Sequence, residues 1–110
     1  MSNTTTFTTA RKQYLKVLKQ YVPIVDRVHG SNHPEFHDVR QTFDAMVQKI
    51  EQAGAKHPAL QQEFALLRTI TDNYTIPQDV CETYEAVYHM LSQLDEAYTK
   101  GAGDAEIHTR

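Results

Sequence analysis

The sequence predicts an all-α fold, an antiparallel up-down-up-down four-helix bundle, and three observations lead to it. Apolar residues recur at steps of three and four in four separate segments, the pattern of helices that each bury one face. Gly30, Pro34, Gly54, Pro58 and Pro77 fall at the borders of those segments. Nowhere do apolar and polar residues alternate as a half-buried strand would require.

The first segment carries Tyr14, Leu18, Tyr21, Val22, Val25 and Val28 at helical spacing and ends near His29-Gly30. Pro23 lies inside it and removes one backbone donor, so a kink or a break into two pieces is expected there. The second begins after Pro34, a good first-turn residue because its missing N–H would be unpaired anyway. Phe36, Val39, Phe43, Met46, Val47 and Ile50 form its stripe, and Gly54 ends it. The third starts at "KHPALQQEF", with Pro58 near its first turn and Leu60, Phe64, Leu67 and Ile70 facing inward. "TDNYTIPQD" then interrupts the pattern, and a fourth helix carries Val80, Tyr84, Val87, Tyr88, Leu91, Leu94 and Tyr98. Short connections between such helices favour antiparallel neighbours around one core. Residues 10–100 are read as the single domain. A threonine-rich flexible N-terminus, 1–9, precedes it, and a flexible tail, 101–110, with no apolar periodicity follows.

A chain of 110 residues suffices for one core. Its 40% hydrophobic and 23% charged residues are ordinary for a globular domain, which argues against disorder. A net charge of -3 gives no electrostatic footprint for nucleic acid. No apolar run approaches the ~18 residues of a membrane span, and no signal-like stretch opens the chain, so a cytoplasmic location and no membrane partner are expected. Cys81 is the single cysteine, which excludes an internal disulfide and any CxxC pair. It is expected to be a small buried residue without a chemical role.

"VHGSNHPEFHDV" spaces His29, His33 and His37 four residues apart, which on one helix would stack three imidazoles for a metal. Gly30 and Pro34 interrupt that repeat, so His29 should end the first helix, His33 should precede the second, and His37 should be a solvated residue off its stripe. No ExxH or HxxxE pair lies on a predicted stripe, which leaves a complete di-iron site without its donors.

Two stretches, "VDRVHGSNHPEF" at 25–36 and "LLRTITDNYTIPQDVCETYEAVYHMLSQLDE" at 66–96, together resemble the hemerythrin-like domain of the iron-sulfur cluster repair di-iron proteins, bacterial factors of oxidative and nitrosative stress. The likeness spans roughly residues 14–100 and is carried by the "VHG..HPE" turn and the "NYT.P.DVC.TY.A.Y" run. It implies a hemerythrin-like bundle, iron as the candidate cofactor, and metal ligation by His29 and His57, which match the family's "VHG" histidine and the one opening its third helix. The family's early helix-one histidine would fall near Thr8, its "HMxxEE" segment is shortened away around "QKIEQAGAK", and its final "HxxxE" pair would fall on Gly101 and Ala105. The chain thus reads as a short, ligand-depleted relative.

Two functional expectations follow. One is a cluster-repair relative that handles iron through His29 and His57, completed by a ligand from a partner chain. The other is a non-metal bundle that binds a protein partner or a second copy of itself, with Tyr14, Tyr21, Tyr84 or Tyr88 filling the space of an iron centre. No nucleophile–base pair and no phosphate-binding glycine loop mark an enzyme.

Overall fold

Helix α1, Phe7–His29, is set by Thr6, whose hydroxyl oxygen accepts the Thr9 amide at 3.2 Å and caps the first turn. In the computed structural model the described residues are 6–54 and 56–108, with side chains through residue 100. Three residues of the expected flexible N-terminus, 7–9, therefore form the first turn of α1, and the buried ring of Phe7 holds them to the core. Residues 101–108 of the expected flexible tail continue α4 as helix, while residues 1–5 and 109–110 and the side chains beyond residue 100 lie outside the described residues.

Of the two outcomes expected at Pro23, a kink or a break into two pieces, the break does not occur: α1 runs through Pro23 as one helix. An interior proline costs about 3 kcal/mol, but Val22 and Val25 on either side are buried to 0% and 1% exposure. Full burial is worth about 1.5–3 kcal/mol for each such side chain, enough to hold the helix on course. The chain leaves α1 at Gly30, whose backbone is right-handed, φ -58 and ψ -31. Glycine is needed there for space: a Cβ would stand 2.6 Å from Cε1 of His37 and against the Asp26 carbonyl.

Helix α2, Glu35–Ala53, begins directly after Pro34, with Glu35 and Asp38 in its first turn where the positive helix end favours carboxylates. It ends at Gly54, whose φ of 59 is a conformation that favours glycine. Helix α3, Gln61–Thr71, starts three residues after Pro58 rather than around it. The reason is Tyr98: its hydroxyl donates to the Pro58 carbonyl at 3.0 Å and accepts the Leu60 amide at 2.9 Å, fixing these residues outside the helix.

Three consecutive residues after α3, Asp72, Asn73 and Tyr74, have φ of 53, 58 and 62. Left-handed backbone is cheap for Asp and Asn and costly for a tyrosine. Helix α4, Glu82–His108, follows the loop.

All four elements are helices, and the described residues contain no strand. The start of α1 meets α4 at Tyr98, ten residues before the end of that helix, with the Phe7 and Tyr98 rings 5.3 Å apart between centroids. The end of α1 meets the start of α4, with His29 and Tyr84 at 5.4 Å. Lys19 and Asp26 of α1 reach Glu51 and Arg40 of α2, both at 3.1 Å. Lys49 of α2 pairs with Glu63 of α3 at 2.9 Å, and Arg68 of α3 with Asp95 of α4 at 3.3 Å. The apolar stripes meet in one cluster that includes Leu18, Phe36, Met46, Phe64, Tyr84 and Leu91, the packing of a helical bundle. Among the described residues no helix is long and apolar enough to cross a membrane.

Candidate functional site

The end of the bundle where α1 stops and α4 starts gathers most of the chemistry-bearing side chains. His29 is the last residue of α1 and lies edge-on to the Tyr84 ring. Its Nε2 is 3.2 Å from Sγ of Cys81, the ring tautomer deciding which atom donates. Cys81 is exposed, which corrects the expectation of a buried residue. It stands just ahead of α4, where its carbonyl accepts the Glu85 amide at 3.1 Å, while half-buried Val80 takes the apolar place beside it.

His33 occupies the turn between α1 and α2, with its ring 5.5 Å from Tyr84 between centroids. Its Nδ1 lies 3.2 Å from Glu35 Oε2 and its Nε2 3.1 Å from Asp79 Oδ1. Both nitrogens therefore serve carboxylates, and His33 ties the α1–α2 turn to the loop before α4. His37 is exposed as expected, yet its Nδ1 contacts the Asp26 carboxylate, which Arg40 Nη1 grips on the other oxygen at 3.1 Å. The three histidines thus occupy a helix end, a turn and the next helix.

His57 lies at the opposite end. It stacks on Tyr98 with centroids 4.9 Å apart and planes at 8°, and it meets the edge of Phe7 at 6.0 Å. His29 is anchored on Tyr84 and His57 on Tyr98, fourteen residues further along the same helix. At 1.5 Å per residue their anchors are about 21 Å apart. Two imidazoles at that separation serve neither one ion nor a bridged pair.

Between them the core is filled. Tyr84 and Tyr88 are exposed to 0% and 1%, and their hydroxyl oxygens are 3.2 Å apart. Phe36 stacks on Tyr88 with planes at 8°. Burial, then the bond to Tyr88, holds the Tyr84 phenol well above its usual ionisation range, and burial does the same for Tyr88. Tyr14 and Tyr21 are half-buried against the same core. Among the described residues no three His, Cys, Asp or Glu side chains converge as metal ligands. The residues present do not fit a di-iron centre.

A second polar cluster escaped the sequence reading. Asp95, 5% exposed, sits on the apolar stripe of α4 between Leu91 and Tyr98. Its Oδ2 accepts the Tyr74 hydroxyl at 2.7 Å and meets Arg68 Nε at 3.3 Å, while Oδ1 accepts the Thr99 hydroxyl at 2.9 Å. Burial, then the bond to Asp95, pushes the Tyr74 phenol far up. The legible signal was a carboxylate at a core register. Opposite, Glu63 gives one oxygen to Lys49, and the other has no hydrogen-bond partner among the described residues.

On the outside, Ile24 and Val28 of α1 are 42% and 59% exposed, and Leu66 of α3 is 52% exposed. Compared with known proteins, the chain matches no family model, no curated protein and no solved structure.

Proposed function

We propose that this chain is an antiparallel up-down-up-down, hemerythrin-like bundle working in the cytoplasm, which acts by associating with protein rather than by holding iron. The observation that carries this reading is the Tyr84–Tyr88 pair: two fully buried phenols, with Phe36 stacked on one, fill the core beneath His29 at the end of the bundle where α4 begins. A protein whose core is closed by side chains has its surface left for function, and α1 exposes Ile24 and Val28 one helical turn apart. The antiparallel arrangement is supported by two contacts that run in opposite order along α1 and α4, Phe7 with Tyr98 and His29 with Tyr84.

A second reading, a relative of the iron-sulfur cluster repair proteins that still handles iron, is favoured by one contact. His29 and exposed Cys81 form a soft-donor pair that a partner chain could complete.

Metal analysis of untagged protein from iron-replete cells, beside a His29→Ala, His57→Ala double variant, separates the two. The association reading expects far less than one iron per chain, unchanged in the variant. Near-stoichiometric iron lost in the variant would overturn it in favour of the second.

A further inference from the structure

Helix α1 has two apolar faces. Phe7, Ala10, Leu18, Val22 and Val25 are buried in the core. Val17, Tyr21, Ile24 and Val28 form another stripe at steps of four, three and four, the spacing of a helix–helix seam. Val17 and Tyr21 are half-buried, whereas Ile24 and Val28 are exposed.

At roughly 100° per residue this stripe lies about half a turn round α1 from Lys19 and Asp26, which face α2. It therefore runs along the seam with α4. On α4, Ala86, Met90, Gln93 and Ala97 repeat the same steps, about half a turn from Asp95, which faces α3. Met90 and Ala97 are buried and Ala86 and Gln93 half-buried, so the apolar surface of the outer α1–α4 face is chiefly Ile24 and Val28, beside the half-buried Ala86.

Its two rims carry opposite charge. The outer edge of α1 presents exposed Lys16 and Arg27, and the only acid on α1, Asp26, is taken up by α2. The outer edge of α4 presents exposed Glu82, Glu85 and Glu96, Glu96 also meeting Lys100 at 3.5 Å.

We infer that this face is the interface between two copies of the chain, related by a twofold axis parallel to the helices. The inference rests on the association reading above and names its partner. Such an axis lays α1 of one copy on α4 of the other, antiparallel, so that helix dipoles oppose and each basic rim meets an acidic one. Arg27 then stands level with Glu82 and Glu85 of the other copy, and Lys16 with its Glu96. Ile24 then packs over half-buried Ala86 of the other copy. A foreign acidic helix would match α1 and leave the acidic rim of α4 against like charge, whereas a second copy satisfies both. The two helices offer a footprint of roughly 700 Å² per copy, near the ~800 Å² per partner of a standard interface.

Sedimentation equilibrium of the full chain, with circular dichroism to verify folding and iron analysis of the same samples, tests this. Expected are a dimer, a loss of affinity of at least about tenfold in Ile24→Glu, and no change in Leu66→Glu. Arg27→Glu should weaken the dimer about two- to fivefold at low salt, and adding Glu85→Arg should restore it. That rescue is specific to α1 lying on the other copy's α4. A dimer indifferent to Ile24→Glu, or weakened by Leu66→Glu instead, overturns this face and leaves the association reading standing. A metal-free monomer at about 100 μM overturns self-association, and a monomer with stoichiometric iron overturns both the inference and the reading beneath it.

Discussion

The hydroxyl of Tyr98 and the backbone amide of Leu60 are joined at 2.9 Å in a buried bond that, with the Pro58 carbonyl at 3.0 Å, makes one phenol the donor and acceptor for the chain entering α3. Tyr98→Phe keeps the ring under His57 and removes both bonds, leaving a buried amide and a buried carbonyl unpaired. At about 1–3 kcal/mol per orphaned group, softened by local relaxation, the variant should lose about 2–4 kcal/mol in urea unfolding. A loss below 0.5 kcal/mol, on the order of a neutral surface change, would mean that water replaces the phenol.

Alkaline pH should unfold the protein early. Tyr74, Tyr84 and Tyr88 all hold their protons in the folded state to higher pH than in the unfolded chain, principally because they are buried. The unfolded state releases those protons first, so their stabilisation is complete below about pH 10 and declines as pH rises beyond it. A Tyr84→Phe, Tyr88→Phe double variant should flatten the decline between about pH 9 and 11. Equal slopes in variant and parent would remove these phenols as its cause.

Asp95 should hold the turn after α3 closed. Left-handed backbone costs roughly 1–2 kcal/mol for a residue such as Tyr74, and its ring and hydroxyl bond offset that cost. Asp95→Ala removes the acceptor of the part-buried Tyr74 hydroxyl, while exposed Thr99 turns to water and half-exposed Arg68 keeps its bond to the Phe64 carbonyl, and should cost about 1–3 kcal/mol. Amide exchange should accelerate most at Tyr74 and Thr75, whose N–H groups donate to Thr71 at 2.7 and 3.0 Å. Uniform acceleration across all four helices would show a global rather than a local role.

Gly30→Ala tests space, since the backbone there is already acceptable for alanine. The new Cβ would meet His37 and the Asp26 carbonyl, for a destabilisation of about 1–3 kcal/mol. Adding His37→Ala should return part of it, because the backbone contact persists. No recovery would place the whole cost on the carbonyl.

The four helices were legible because each advertises a buried stripe every three or four residues, and such stripes survive without knowledge of their partners. The start of α3 was not, because Pro58 has the look of a first-turn proline while the group that overrides it, Tyr98, lies forty residues away. Continuity through Pro23 likewise depended on how deeply Val22 and Val25 would be buried. The histidines divided along the same line. Their separation into helix end, turn and helix followed from Gly30 and Pro34, whereas the distance between His29 and His57 depends on which rings of α4 they lean on. Asp95 was visible as a carboxylate at a core position, but its partner Tyr74 sits in a loop with no periodic signal.

The pairing of α1 with α4 also has a price during synthesis. About fifty residues separate the end of α1 from the start of α4, which at ~5–20 residues per second is roughly 3–10 s of translation. For that interval the nascent chain has only α2 and then α3 to cover Leu18, Val22 and Val25. The half-made hairpin on the ribosome has the Asp26–Arg40 and Lys19–Glu51 ties to set its register, pairs worth at most about 1 kcal/mol each, so its exposed stripe is a surface for a holding chaperone before the final helix arrives. Selection on those surface ion pairs would then act on the unfinished chain as well as on the finished bundle.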